Sequence, residues 1–176
     1  MKLRKINAVF SLISTILIFG HAISLGICML TNTKPPDMVG VMAFLLTAVV
    51  AIHAVLSIIP AVLAKKDKPE YKVKEYPKMN VPTMVQRISG ILMIPFTALH
   101  ILGATGITKT PDILHAIIPP IFFLFVLAHV AVSTSKAFIT LGIGNYKFVN
   151  IADKVIKLIC ILTLILDVFG FYIYIS

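Results

Sequence analysis

Five apolar stretches separated by short polar breaks lay out the chain, at about residues 6–30, 38–64, 85–106, 117–141 and 155–175. Each has roughly 20 or more residues, enough for an α-helix to cross about 30 Å of hydrocarbon at about 1.5 Å per residue. The breaks carry turn signals. Thr31 to Asp37 contains Pro35-Pro36 and turns helix one back on helix two as an antiparallel hairpin, an arrangement helices three and four are expected to repeat. Pro60 and Pro95 fall inside spans, where neighbouring helices can satisfy the carbonyls they free. Pro119-Pro120 is expected to start helix four, leaving Ile107 to Ile118 as an outer-surface connection. The segment 65–82 holds Lys65, Lys66, Lys68, Lys72, Lys74 and Lys78 among prolines, acids and tyrosines, and reads as an extended surface strap. The pattern predicts an all-α integral membrane bundle of five transmembrane helices, a single domain over 1–176, with the first four helices as its core.

Composition agrees with the pattern. Of the 176 residues 59% are hydrophobic and only 13% charged, and the mean hydropathy is +0.99. No soluble globule has this balance. A net charge of +9 would suggest nucleic acid in a soluble chain, but placing the cations relative to the spans gives a simpler cause. With the N-terminus cytoplasmic, the inner side collects Lys2, Arg4, Lys5, the six strap lysines, Arg87, Lys136, Lys147, Lys154 and Lys157, which is 14 of 16 basic residues. Only Lys34 and Lys109 remain outside. This asymmetry predicts an inner-membrane protein with its N-terminus cytoplasmic and its C-terminus outside. Lys2-Leu3-Arg4-Lys5 looks like the start of a signal peptide, but the following apolar stretch has no obvious cleavage site and is read as a retained first span. Cys28 and Cys160 lie in apolar runs without metal-ligand spacing and read as packing thiols.

The residues that stand out against this background are His21, His53, His100 and His129, one inside each of the first four spans. Lipid offers imidazole nitrogens no partner, so an intramembrane histidine is a functional-site candidate. A single one can also do no more than hydrogen-bond a neighbouring helix. Four at related depths point further, to axial ligands of two b-type haems, because low-spin haem iron takes two strong donors from opposite sides and neutral imidazole adds no charge to the membrane interior. In an up-down bundle with helices one to four in order around a square, the diagonals join one with three and two with four, and only there is there room for a macrocycle.

Depth selects the same pairs. His21 lies 16 residues from Lys5 and His100 lies 13 from Arg87, roughly 20–24 Å from the inner edge. His53 lies 12 residues before Lys65 and His129 seven before Lys136, at about 10–18 Å. His21 with His100 therefore forms an outer pair, and His53 with His129 an inner one. The hairpins also resemble each other: His53 is followed by Ser57 and His129 by Ser133, each four residues on and on the same helical face. Gly20 and Gly26 flank His21, while Gly103 and Gly106 follow His100. Small residues of this kind allow a macrocycle close approach, and they equally serve ordinary helix packing.

Helix three opens with Gln86-Arg87-Ile88-Ser89-Gly90 and reaches His100 ten residues after the glycine. This resembles the Arg-x-Ser-Gly signature of the cytochrome b membrane anchors of succinate dehydrogenase and fumarate reductase. Ala128-His129-Val130-Ala131-Val132, continuing through Ser133, Ser135 and Lys136, is similar to the haem-ligand helix of that family. The recognisable motif covers about thirty residues, and the five-helix plan with one histidine in each of the first four helices looks like the dihaem subtype with a single anchor chain. The resemblance implies a complex with a flavoprotein and an iron–sulfur subunit on the cytoplasmic side, passing electrons between succinate or fumarate and a membrane quinone, menaquinone or ubiquinone. It implies that His21 and His100 hold the distal haem, and His53 and His129 the haem near the iron–sulfur protein. Some dihaem fumarate reductases carry a glutamate two residues before the helix-four ligand; here Leu127 stands there.

Four further residues are candidates. Arg87 could hold haem propionates or a quinone carbonyl through its guanidinium, or simply anchor the helix at the interface. Ser89 shares the propionate or quinone assignment. Asp167, inside helix five, is expensive unless protonated, paired or near water, and is a candidate for quinone or proton chemistry beside a purely buried role. His115, with Asp112, lies in the outer connection, where it is either a proton-exchanging quinone neighbour or a solvated loop residue. Two other functions compete with the anchor. One is a freestanding dihaem conduit across the membrane, and the other is a haem-free transporter or structural bundle whose histidines bind metal or pack. The chain has no flavin site, iron–sulfur cysteine cluster or dicarboxylate site, so succinate activity is not expected of it alone.

Overall fold

A computed structural model describes the backbone of residues 2–66, 81–104 and 112–176, and the side chains of 3–59, 81–103 and 117–176. The fold is all-α, with five helices: α1 Lys2–Leu30, α2 Asp37–Lys66, α3 Val81–Ala104, α4 Asp112–Leu141 and α5 Tyr146–Ile175. All five contain stretches long and apolar enough to cross a membrane. The protein is a multi-pass helical bundle. Most of the predicted strap lies outside the described residues, and its first two lysines, Lys65 and Lys66, belong to the last turn of α2.

Three helix boundaries differ from those read off the apolar runs. Helix α4 starts at Asp112 and passes through Pro119-Pro120 instead of beginning there. Two missing N–H groups cost two hydrogen bonds, but so near the helix start they free only the carbonyls of the opening turns. His115 consequently lies on helical backbone, and its side chain is outside the described residues. Helix α5 starts at Tyr146, nine residues before its apolar run, because Asn145 caps it: the Asn145 side chain accepts the Phe148 N–H at 2.9 Å. Hydropathy detects only the lipid-embedded part of such a helix, not the turns carrying Lys147, Asp153 and Lys154. Helix α3 likewise begins at Val81, ahead of its apolar run.

The connections are tight where they are described. After α1, Asn32 takes a left-handed φ of 49°, with Thr33 N–H donating to Cys28 O and Asn32 N–H to Met29 O. After α4, Gly142 has φ 73°, and the N–H groups of Ile143 and Gly142 donate to Phe138 O and Ile139 O. Both are the two-bond C-terminal cap that satisfies the last helical carbonyls and reverses the chain.

Helix α1 packs on α2, α4 and α5, and α4 packs on α1, α3 and α5. Helices α2, α1, α4 and α3 thus follow one another in contact, three sides of a four-helix arrangement, with α5 laid against the α1–α4 edge. Neither diagonal, α1 with α3 or α2 with α4, is in contact among the described residues, nor is the α2–α3 side. The square is open on that side. Cross-helix contacts fix the directions: Asn7 Nδ2 donates to Ser57 Oγ, Thr15 Oγ1 lies 3.4 Å from Thr134 Oγ1, and Ser135 Oγ donates to Asp153 Oδ1 at 2.6 Å. Helices α1, α3 and α5 therefore start at one end of the bundle, and α2 and α4 at the other.

Helices in lipid gain nothing from burying one apolar side chain against another, so they associate through small and hydroxyl residues that let backbones approach. The buried set here includes Ser11, Ser14, Thr15, Ser133, Thr134 and Thr163 beside Leu127, Val130 and Cys160. Large apolar side chains such as Phe44, Ile94, Ile161, Ile165 and Phe169 face outward. Cys28 and Cys160 are free thiols, Cys160 packed with Leu127 and Val130.

Candidate functional site

The four histidines of the candidate spans fall into two sets by proximity, each joining helices without backbone contact among the described residues. His21 and His100 are close enough for their charges to interact, and so are His53 and His129. The pairs occupy two tiers. His53 lies beside the backbone of Asn7, in the second turn of α1, and His129 beside Gln86 and Ser89, in the opening turns of α3. His21 lies beside Val39, at the far end where α2 begins, and the His100 ring packs on Phe122 at a centroid distance of 5.2 Å. Between the tiers Phe96 and Phe125 meet at 5.6 Å, each one helical turn from a histidine of its own helix.

The environment of His129 is the most fully determined. Its Nδ1 lies 3.1 Å from the backbone oxygen of Gln86 and 3.2 Å from Ser89 Oγ. Ser89 donates its own hydroxyl hydrogen to Val85 O at 2.6 Å, the back-bond a serine makes inside a helix. Both neighbours of Nδ1 are then acceptors, so Nδ1 carries the proton and Nε2 keeps its lone pair. Gly90 completes this seat: a Cβ there would come within 3.1 Å of His129 Cε1. On α1 and α2 the situation is reversed. Nδ1 of His21 and of His53 is buried without a hydrogen-bond partner of good geometry, although the two rings lie beside the backbone of Val39 and of Asn7 respectively.

Such pairs suit some ligands better than others. No cluster of three or more His, Cys, Asp or Glu side chains able to hold a metal ion exists among the described residues. A bare Zn²⁺ or similar ion usually wants more protein ligands than two. Two opposed imidazoles do suit a metal that brings its own equatorial ligands, as haem iron does. The charge-range proximity within each pair, the unprotonated Nε2 of His129 and the absent side chain at Gly90 are compatible with such a group.

The remaining candidates separate from one another. Ser89 is 3% exposed, with its hydroxyl committed to Val85 and His129. Arg87 is exposed at the same end of the bundle, near enough to Lys136 for their charges to interact. Lys136 was not singled out from the sequence as a site residue. It is half-buried and donates to Gln86 Oε1 at 2.7 Å and Thr83 Oγ1 at 3.1 Å. Its position two turns after His129, on the same face of α4, was the available signal. Neither cation has a carboxylate in ion-pair range among the described residues, where the ion pair is Lys157 with Asp153. Asp167 is elsewhere. It is 2% exposed, its Oδ1 has no partner, and it lies against Gly26 in the α1–α5 interface. Gly26 is about 140° around α1 from His21 at 100° per residue, so Asp167 and the histidines are on different sides of that helix. No protein-family model, no curated protein and no solved structure matches this chain.

Proposed function

We propose that the protein is a dihaem cytochrome b membrane anchor of a succinate:quinone oxidoreductase, moving electrons between an iron–sulfur subunit on the cytoplasmic side and membrane quinone. The observation that carries this reading is that His21 and His100, and likewise His53 and His129, lie within range of each other's charge although their helices have no backbone contact among the described residues. In it, His21 and His100 hold the outer b-type haem, and His53 and His129 the inner one. Bound between such pairs, haem supplies reversible one-electron chemistry at a potential set by its ligands and surroundings. The chain's own part is to present neutral Nε2 donors, keep water out with the apolar walls, and hold the rings at fixed depth.

Orientation follows from charge. Arg4, Lys5, Arg87, Lys136, Lys147, Lys154 and Lys157 lie at the end where α1, α3 and α5 start, and Lys34 at the other. With the basic end cytoplasmic, the inner pair faces the soluble subunits. Lys136 joins Arg87 as a partner for haem propionates, since the two cations lie near each other with no carboxylate in ion-pair range among the described residues. Asp167, and His115 at the start of α4, are assigned to proton exchange with quinone near the outer face.

One observation favours a second reading, the haem-free bundle: the Nδ1 of His129 already has acceptors, as a packing histidine would. That bond leaves Nε2 unexplained, and Nδ1 of His21 and of His53 has no hydrogen bond of comparable geometry. Pyridine haemochrome analysis of the purified chain decides between them. Two haems b per chain are expected, and none would leave the haem-free bundle standing. Co-purification with a flavoprotein and an iron–sulfur protein separates the anchor from a freestanding conduit.

A further inference from the structure

The Ser89-Gly90 segment on α3 lies against the ring of a histidine on the next helix. Ser89 Oγ is 3.2 Å from His129 Nδ1, and a Cβ at residue 90 would come within 3.1 Å of Cε1 and 3.4 Å of Nδ1 of the same ring. Gln86 O, one turn earlier, accepts a hydrogen bond from Nδ1 at 3.1 Å. Three residues of one helix face thus fix the plane, the tautomer and the height of a side chain on another.

We propose that Ser89 and Gly90 are positioning residues for His129, and that this segment acts on the protein's own imidazole and not on an anionic group of a bound molecule. The proposal deepens the dihaem reading, on which it rests for the identity of what Nε2 binds. Ser89 cannot serve both partners. Its hydrogen is spent on Val85 O, so it presents only lone pairs outward, and lone pairs repel a carboxylate while accepting from an imidazole N–H. An acceptor on the N–H of a ligating imidazole raises the ring's donor strength, which favours the oxidised metal and lowers its potential. Gly90 works by shape. With any side chain at 90, the His129 ring has to move by a few tenths of an ångström. At Gly103, on the same helix, a Cβ would meet nothing within 4 Å.

The test uses the full chain carrying whatever haem it binds, with Ser89→Ala, Ser89→Thr, Gly90→Ala and Gly103→Ala. Expected is an upward shift of one of the two midpoint potentials in Ser89→Ala, its return towards wild type in Ser89→Thr, and unchanged haem content in both. Gly90→Ala is expected to change the low-spin electron paramagnetic resonance g-values of the same centre, and Gly103→Ala to leave both centres as they are. Unchanged potentials in Ser89→Ala, or equal effects of Gly90→Ala and Gly103→Ala, would overturn the proposal. A separate measurement does not depend on haem: ¹⁵N spectra of histidine-labelled protein should show His129 as the Nδ1–H tautomer, and the Nε2–H tautomer would overturn the positioning role. Wild-type protein without haem would sink the dihaem reading while leaving this measurement to judge Ser89 and Gly90.

Discussion

Gly170 and Gly26 bring α5 and α1 into backbone contact: a Cβ on Gly170 would stand 2.8 Å from the Gly26 carbonyl oxygen, and one on Gly26 would stand 2.6 Å from Asp167 Oδ1. Where neither solvent nor apolar burial drives helices together, close approach of this kind supplies the dispersion that does.

Gly170→Ala should therefore loosen the docking of α5. Overpacking at a backbone contact costs about 1–3 kcal/mol. Thermal unfolding in detergent should show a midpoint several degrees below wild type, while Gly40→Ala, at a position where a Cβ meets nothing within 4 Å, should show no loss. Equal midpoints for the two variants would mean that α1 and α5 are not in contact at this point.

Asp167→Asn keeps the shape of a buried, partly unpartnered side chain and removes its proton chemistry. If Asp167 exchanges protons with quinone, quinone turnover should fall with both haems retained and with a thermal midpoint close to wild type. Turnover that stays at the wild-type rate would make Asp167 a packing residue of the α1–α5 interface, which its contact with Gly26 already shows it to be in part.

At the basic end, Asp153 accepts from Ser135 at 2.6 Å and from Lys157 at 2.5 Å, tying α4 to α5. The Lys157 pair is half exposed and contributes little in a screened setting. The Ser135 bond spans two helices and matters more. Ser135→Ala should lower stability by about 1 kcal/mol, and Lys157→Ala by less. The reverse order in thermal unfolding would contradict this assignment.

The segment 65–82 carries six of the 14 basic residues from which a cytoplasmic N-terminus is expected. Protease added to sealed, right-side-out cells should leave it intact, and should cut it once the membrane is opened. Cleavage in intact cells would invert the bundle and exchange the inner and outer labels of the two histidine tiers.

Much of the fold was legible because lipid imposes a simple rule: about twenty apolar residues make a span, and short polar breaks make hairpins. The boundaries missed share one cause. Hydropathy registers what lies in hydrocarbon, so it overlooked the opening turns of α3, α4 and α5, where Asn145 supplies a cap and Pro119-Pro120 sits inside a helix already begun. The expectation that His21 pairs with His100 and His53 with His129 rests on direction and depth. What pattern could not supply was contact between particular atoms. Ser89 is a candidate for an external ligand from the sequence, which could not say that its hydroxyl also meets Val85 and His129, and Lys136 emerged as a neighbour of Gln86 only when α3 and α4 were laid together. Nor could hairpin logic foresee that α2 and α3 have no backbone contact among the described residues.

The pairing of His21 with His100 and of His53 with His129 is tested most directly by redox titration with low-temperature optical spectra on the four single alanine variants. Removing one axial donor converts or empties one haem and leaves the other low-spin. His21→Ala and His100→Ala should therefore retain the same surviving centre. His53→Ala and His129→Ala should both retain the complementary one. If His21→Ala and His53→Ala kept the same haem, the diagonal pairing would be wrong, even in a protein that proved to be a cytochrome.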